Sequence, residues 1–217
     1  MLSAVVPTLN AAATLPACLA ALKGADEIVV VDGGSTDGTR ALAQAAGARL
    51  IHAPKGRGVQ LLSGADAALG SWLLFVHADT RLAPGWQEAA RAHIAAAPGK
   101  AACFRLRLDD SAWQARLIER GVSLRVRLLS LPYGDQGLLI SRALYDAVGG
   151  YAALPLMEDV DLARRLGRRI RQLGVEAVTS AERWRRDGWF RRSARNLSLL
   201  ARYRMGMSAE RAARLYD

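Results

Sequence analysis

At 217 residues, with 51% hydrophobic side chains and a mean hydropathy of +0.06, the chain suits one folded domain burying roughly 70% of its unfolded surface. No apolar run approaches the roughly 18 residues of a membrane-crossing helix. The net charge of +10 is localised: residues 1–163 carry 15 Lys and Arg against 15 acids, residues 164–217 carry 15 Arg against 5. An excess confined to the last quarter points to an anionic partner there.

Leu2–Val6 is a short apolar run ended by Pro7, with no basic region or cleavage site before it. A cytoplasmic chain without a signal peptide is therefore expected. Thr14 is placed to cap a helix carrying Leu15, Cys18, Leu19 and Leu22 on one face, with Gly24 as its stop. Residues 27–31 are apolar and β-branched almost throughout, as in a strand buried on both faces. They lead into the turn-rich loop Asp32-Gly33-Gly34-Ser35-Thr36-Asp37-Gly38-Thr39 and a helix over 39–46. A strand over 49–52, the basic loop Pro54–Gly58, a helix over 59–69 and a strand over 72–76 follow. His77-Ala78-Asp79 ends that strand. Then come a helix over about 85–97, a strand over 101–108, helical patterns over about 111–130, a strand over 138–141, a helix after Glu158 and a strand near 175–178. Cys18 and Cys103 lie in apolar surroundings without a C-x-x-C, as buried thiols of a reducing compartment do.

Strands alternating with helices at this spacing predict right-handed crossovers and a single-domain, Rossmann-like α/β fold with a mostly parallel sheet flanked by helices. Ligands of such sheets sit at the carboxyl ends of the strands. Three polar loops fall there: Thr8 with Asn10, Asp32–Thr39, and His77–Asp79. A second acidic group, Glu158, Asp159 and Asp161, crowds the first turn of a helix, where carboxylates are favoured. No G-x-G-x-x-G follows the first strand, and there is no P-loop, nucleophile elbow or zinc spacing.

The motifs in order are Val5-Val6-Pro7-Thr8-Leu9-Asn10, Val30–Thr39, Lys55-Gly56-Arg57-Gly58 with Gly64 and Gly70, Leu74–Asp79, and Gly149-Gly150-Tyr151 before Glu158-Asp159. Over residues 2–166 this series resembles family 2 glycosyltransferases. Tyr133-Gly134-Asp135-Gln136 with Pro155–Asp159 is similar to a small bacterial subgroup of them. The resemblance implies a nucleotide-diphospho-sugar transferase (GT-A) fold and an inverting transfer to a hydroxyl acceptor, with a UDP- or GDP-sugar as donor.

Residue by residue, the resemblance puts Pro7, Thr8, Asn10, Asp32 and Gly33 at the nucleoside, Lys55, Arg57 and Gln60 at the diphosphate side, and His77, Ala78 and Asp79 at the metal-binding turn. Asp79 matches the last acid of the family's D-x-D motif, the ligand of Mg²⁺ or Mn²⁺. His77 stands where the first Asp is usual. Asp135, Gln136 and Glu158 are expected on the sugar and acceptor side, with Asp159 as general base and Asp161 as a helix cap. The plainer alternatives are loop self-bonding for Asp32, exposed loop charge for Lys55 and Arg57, a strand-end histidine for His77, and turn residues for Asp135 and Gln136.

Residues 1–180 form the expected catalytic domain and 181–217 a basic helical extension. Read as a helix from Trp189, the extension carries Phe190, Ala194, Leu197 and Ala201 on one stripe and Arg191, Arg195 and Arg202 on another. That pattern suits an anionic membrane surface. A peripheral location on the inner face and a lipid-linked acceptor are the corresponding expectations. The alternative is packing on the catalytic domain with a solvated Arg face; no nucleic-acid motif accompanies the charge. Two other functions compete: a nucleotidyltransferase of related fold, which would place a Gly-rich basic loop where Pro7–Asn10 stands, and a non-catalytic nucleotide-sugar-binding protein at a membrane surface.

Overall fold

A computed structural model describes residues 1–216. Its strands are β1 (Leu2–Thr8), β2 (Glu27–Asp32), β3 (Arg49–His52), β4 (Trp72–Phe75), β5 (Thr80–Leu82), β6 (Ala101–Leu108), β7 (Leu138–Ser141) and β8 (Ile170–Thr179). They form one sheet in the order β3-β2-β1-β4-β7-β6-β8-β5. β1 to β4 are parallel, as are β6 and β8, whereas β7 and β5 run against their neighbours.

The antiparallel β7 decides where the site lies. Leu138 pairs with Phe75, so the turn that enters β7 arrives at the carboxyl end of β4. Acids from residues 79, 135 and 159 thereby share one edge of the sheet.

The β-branched runs alternate faces as a period of two requires. Val5, Val29 and Val31 face a core shared with α3 (Arg57–Ala67), α6 (Arg142–Ala147) and α7 (Glu158–Leu166). Ala4, Val6 and Val30 face α1 (Leu15–Ala21), α2 (Thr39–Ala45) and α4 (Trp86–Ala96). Each large side chain fully buried here contributes about 1.5–3 kcal/mol. Gly64 lets α3 press on the sheet: a Cβ there would lie 2.8 Å from Val31 Cγ2.

The sequence pattern misplaces some details. Helix α3 starts at Arg57, two residues early, and β8 starts at Ile170, because its half-polar residues hide the period. β5 and α6 are too short to leave a pattern. Thr14 holds the N-cap position of α1, but its hydroxyl donates to Ala11 O instead of capping. Asp161 does not cap α7; its carboxylate accepts from Arg165 Nε at 3.0 Å, an i,i+4 pair. Cys18 and Cys103 are free and buried, and burial pushes both thiols up to about 12.

Of the basic extension, the described residues form α8 (Glu182–Asp187), α9 (Trp189–Arg204) and α10 (Ala209–Tyr216); residue 217 lies outside them. These helices pack against α5 (Trp113–Leu129) and the main core, with Leu199 and Leu200 buried. The face of α9 that turns inward is not the apolar stripe. Arg192 is buried and bonds Asp187 at 2.7 Å, and Arg195 reaches the same carboxylate at 3.1 Å. Phe190, Ala194, Leu197 and Ala201 face outward.

Candidate active site

Two cavities adjoin at the carboxyl edge of the sheet. The larger, about 560 Å³, is lined by Pro7, Thr8, Asn10, Lys55, Arg57 and Gln60, and by His77, Ala78 and Asp79. The smaller, about 140 Å³, is lined by Asp135, Glu158, Asp159 and Tyr133, and on its far wall by Trp184, Arg192, Asn196 and Tyr216 of the extension. Arg57, His77, Asp79, Ser180 and Arg183 border both. Asp159 borders the smaller pocket and not the larger cleft.

The loops that shape the cleft hold one another. Asn10, in the left-handed region at φ 51°, accepts from Thr36 N at 2.9 Å, while its own N–H donates to Ser35 Oγ at 2.9 Å. Asp32 is fully buried beneath the cleft, not in its lining, and accepts from Gly34 N and Ser35 N. Burial alone would raise its pKa, but the hydrogen bonds from Ser35 and Gly34 hold it below the ordinary value. Gly33 donates to Thr8 O at 2.9 Å and also lies outside the lining. Gln60 Nε2 donates to Thr8 O and Val31 O at 2.8 Å each, a brace between β1 and β2.

At the junction Arg57 meets Glu158 at 3.4 Å. Burial and the charge of Asp159 push Glu158 upward, against the pull of Arg57. His77 is pushed down to about 4, first by burial and then by Arg57, so its imidazole is neutral at pH 7. Asp159 Oδ2 accepts from Gly134 N and Oδ1 from Val160 N, each at 2.7 Å. Asp135 rises to about 6, chiefly through burial, and its Oδ1 has no hydrogen-bond partner. Gln136, expected at the acceptor, points into the core: it donates to Phe104 O at 3.0 Å and borders neither cavity.

A model of the family described as "Glycosyl transferase family 2" matches residues 3–154. The chain belongs to glycosyl transferase family 2. A PGL/p-HBAD biosynthesis glycosyltransferase of Mycobacterium bovis is 46% identical over 93 residues, covering 38% of this chain and 36% of the relative. A TPR repeat-containing protein of Synechococcus elongatus is 40% identical over 78 residues, 34% of this chain and 19% of that protein. The chain thus spans about a third of the length of the curated relatives it matches first. Among solved structures, Mycobacterium tuberculosis glucosyl-3-phosphoglycerate synthase in complex with Mn²⁺, UDP and glucosyl-3-phosphoglycerate aligns with TM-score 0.59 and 22% identity. That alignment covers 82% of this chain and 71% of the synthase. Staphylococcus aureus TarS 1–349 with UDP-GlcNAc aligns with TM-score 0.64 and 18% identity, over 82% and 58% of the two chains. These likenesses establish the GT-A fold.

For a family 2 member the question is whether a divalent cation fits. Asp79 borders both cavities and forms no salt bridge among the described residues. No group of three potential ligands clusters among them either. One free carboxylate suits Mg²⁺ or Mn²⁺ held largely by substrate phosphates, and does not suit an all-protein cage.

Sequence reasoning missed Arg183, Trp184, Asn196 and Tyr216. Asn196 and Tyr216 lie on helices whose composition reads as a solvated basic tail, so no local signal marks them as pocket walls.

Proposed function

We propose that the chain transfers a sugar from a nucleotide-diphospho-sugar, UDP- or GDP-linked, to a hydroxyl acceptor with inversion. The observation that carries this reading is the meeting of two cavities at Arg57, His77 and Asp79, with Asp159 on the smaller side alone. The larger cleft has the volume of a small-molecule site. Its Pro7–Asn10 rim suits the nucleoside, and Lys55 and Arg57 suit the diphosphate. The anomeric carbon then falls at the junction, and the acceptor approaches from the smaller pocket, opposite the leaving group.

Asp159 takes the acceptor proton as the hydroxyl attacks. The Gly134 and Val160 amides fix its carboxylate and leave one lone pair on each oxygen. Arg57, held by Glu158, stabilises negative charge on the leaving diphosphate. Neutral His77 donates one N–H to an oxygen of the donor. Asp79 would hold Mg²⁺ or Mn²⁺, which when bound supplies Lewis-acid stabilisation of the diphosphate. A pocket of about 140 Å³ admits a small acceptor or only the head of a lipid-linked one.

Thermal-shift screening of nucleoside diphosphates and nucleotide-sugars, with Mn²⁺ and with EDTA, tests the reading. Selective stabilisation by one nucleotide with Mn²⁺ is expected, growing with ligand concentration. No shift with any nucleotide under either condition would sink it.

A further inference from the structure

The outward faces of α5 and α9 are apolar where a solvent-facing helix is ordinarily polar. On α5, Trp113, Leu117, Leu124 and Leu128 recur at spacings of 4, 7 and 4 residues, so they form one stripe. Trp113 is 65% and Leu128 67% exposed. On α9 the stripe is Phe190, Ala194, Leu197 and Ala201, with Phe190 55% and Leu197 58% exposed. The Trp113 and Phe190 rings lie 6.0 Å apart, so the two stripes meet at their N-terminal ends in one patch.

The exposed charge on these two helices has a single sign. Arg120, Arg127, Arg191, Arg202 and Arg204 are exposed on the same two helices and pair with no acid among the described residues. Glu119, the sole acid of α5, is buried and accepts from Leu108 N, and α9 has no acid. A second copy of the chain would lay Arg on Arg without a counter-charge. Nucleic acid would answer the arginines but leave the leucines and Trp113 in water. A surface offering both hydrocarbon and anionic headgroups answers all of them.

We propose that the combined α5–α9 face docks on an anionic lipid bilayer, with Trp113, Leu124, Leu128 and Phe190 entering the interface and the arginines on the headgroups. The inward face of α9, through Arg192, Asn196 and Leu199, is the wall of the smaller pocket. Docking therefore holds that pocket about one helix diameter, roughly 10 Å, from the lipid. The proposal stands whether or not the chain transfers sugar.

Co-sedimentation of the full chain with phosphatidylcholine vesicles, with and without phosphatidylglycerol, tests it. Binding to the anionic vesicles alone, released by high salt, is the expected result. Leu124→Ser/Leu128→Ser/Phe190→Ser should weaken partitioning at least about tenfold, and so should Arg120→Gln/Arg127→Gln/Arg191→Gln/Arg202→Gln. All these positions are exposed, so both variants should keep the wild-type circular dichroism. Brominated lipid should quench wild-type tryptophan emission, and Trp113→Phe should remove most of that quenching. Wild type left in the supernatant with anionic vesicles overturns the proposal, as do variants that sediment like wild type. A lipid-indifferent dimer abolished by Leu128→Ser would overturn it too, assigning the face to a second copy.

Discussion

The backbone N–H of Gly134 donates to Asp159 Oδ2 at 2.7 Å, and the same glycine lies against the ring of His77. The turn before β7, the start of α7 and the end of β4 therefore form one unit. Asp159 is aimed by backbone, which a side-chain substitution elsewhere does not easily disturb.

Asp159→Asn keeps the side chain's size and removes the proton acceptor, at the cost of one of the two backbone hydrogen bonds, since its –NH2 cannot accept from Gly134 N–H or Val160 N–H. It should bind nucleotide-sugar as wild type does yet transfer at least ~100-fold more slowly, the scale of a lost general base. Asp161→Asn loses only the pair with Arg165, worth about 0.3–0.5 kcal/mol, and should transfer at a near-normal rate. Single-turnover rates of the two variants, with Kd measured separately, check both statements. Near-normal transfer by Asp159→Asn would move the base to Asp135.

The sheet is legible because its central strands are buried on both faces: 28–31 and 72–75 have no polar residue to blur the pattern. The carboxyl-edge loops were legible because the motifs lie beside those strands. What could not be read is long-range. Nothing local to Arg192 or Tyr216 announces that α9 and α10 wall a pocket built around Asp159. Gln136 resembles a ligand contact because it is a polar residue within a motif, whereas it braces a buried backbone carbonyl and borders neither cavity; Gln60 braces two such carbonyls and also lines the larger cleft. For the extension, helical spacing found the right apolar stripe on α9, but sorting by hydrophobicity could not anticipate that Arg192 would face inward.

Asp79→Ala should abolish the extra thermal stability that Mn²⁺ gives in the presence of nucleotide, and leave the ligand-free melting temperature within a few degrees. The carboxylate has no salt bridge to lose, so its removal should not unsettle the fold. Equal nucleotide-induced shifts for wild type and variant, with Mn²⁺ and with EDTA, would remove the cation from Asp79.

Two glycines separate packing from site geometry. A Cβ at Gly64 would meet Val31 Cγ2 at 2.8 Å, so Gly64→Ala should cost about 1–3 kcal/mol of stability without altering ligand affinity in the folded fraction. A Cβ at Gly134 would stand 2.6 Å from His77 Cε1. Gly134→Ala must displace the ring or the Gly134–Asp159 hydrogen bond, so its larger effect should be on transfer rate. Urea unfolding and single-turnover kinetics on both variants test the contrast; a Gly134→Ala protein with a wild-type rate would show that the unit is not needed.

Asp135 gives the pH dependence. Its carboxyl rises from an ordinary 3.8 to about 6 through burial, helped by the charges of Asp159 and Asp79 and opposed by Arg125. A raised pKa means that the native state holds its proton more tightly than the unfolded chain. The associated stability is fully present below pH 4 and is lost as pH climbs through 6. The interval is worth up to about 3 kcal/mol. Asp135→Asn imitates the protonated form at every pH. It should match wild type in urea unfolding near pH 4 and exceed it near pH 8 by as much as that amount. Glu158, shifted in the same direction, remains in both proteins and cancels to first order. The measurement belongs in EDTA, because a bound cation would favour the ionised carboxylate and shrink the difference. A gap between variant and wild type that stays constant from pH 4 to 8 would show that Asp135 is solvated in the native protein and titrates as an ordinary carboxylate.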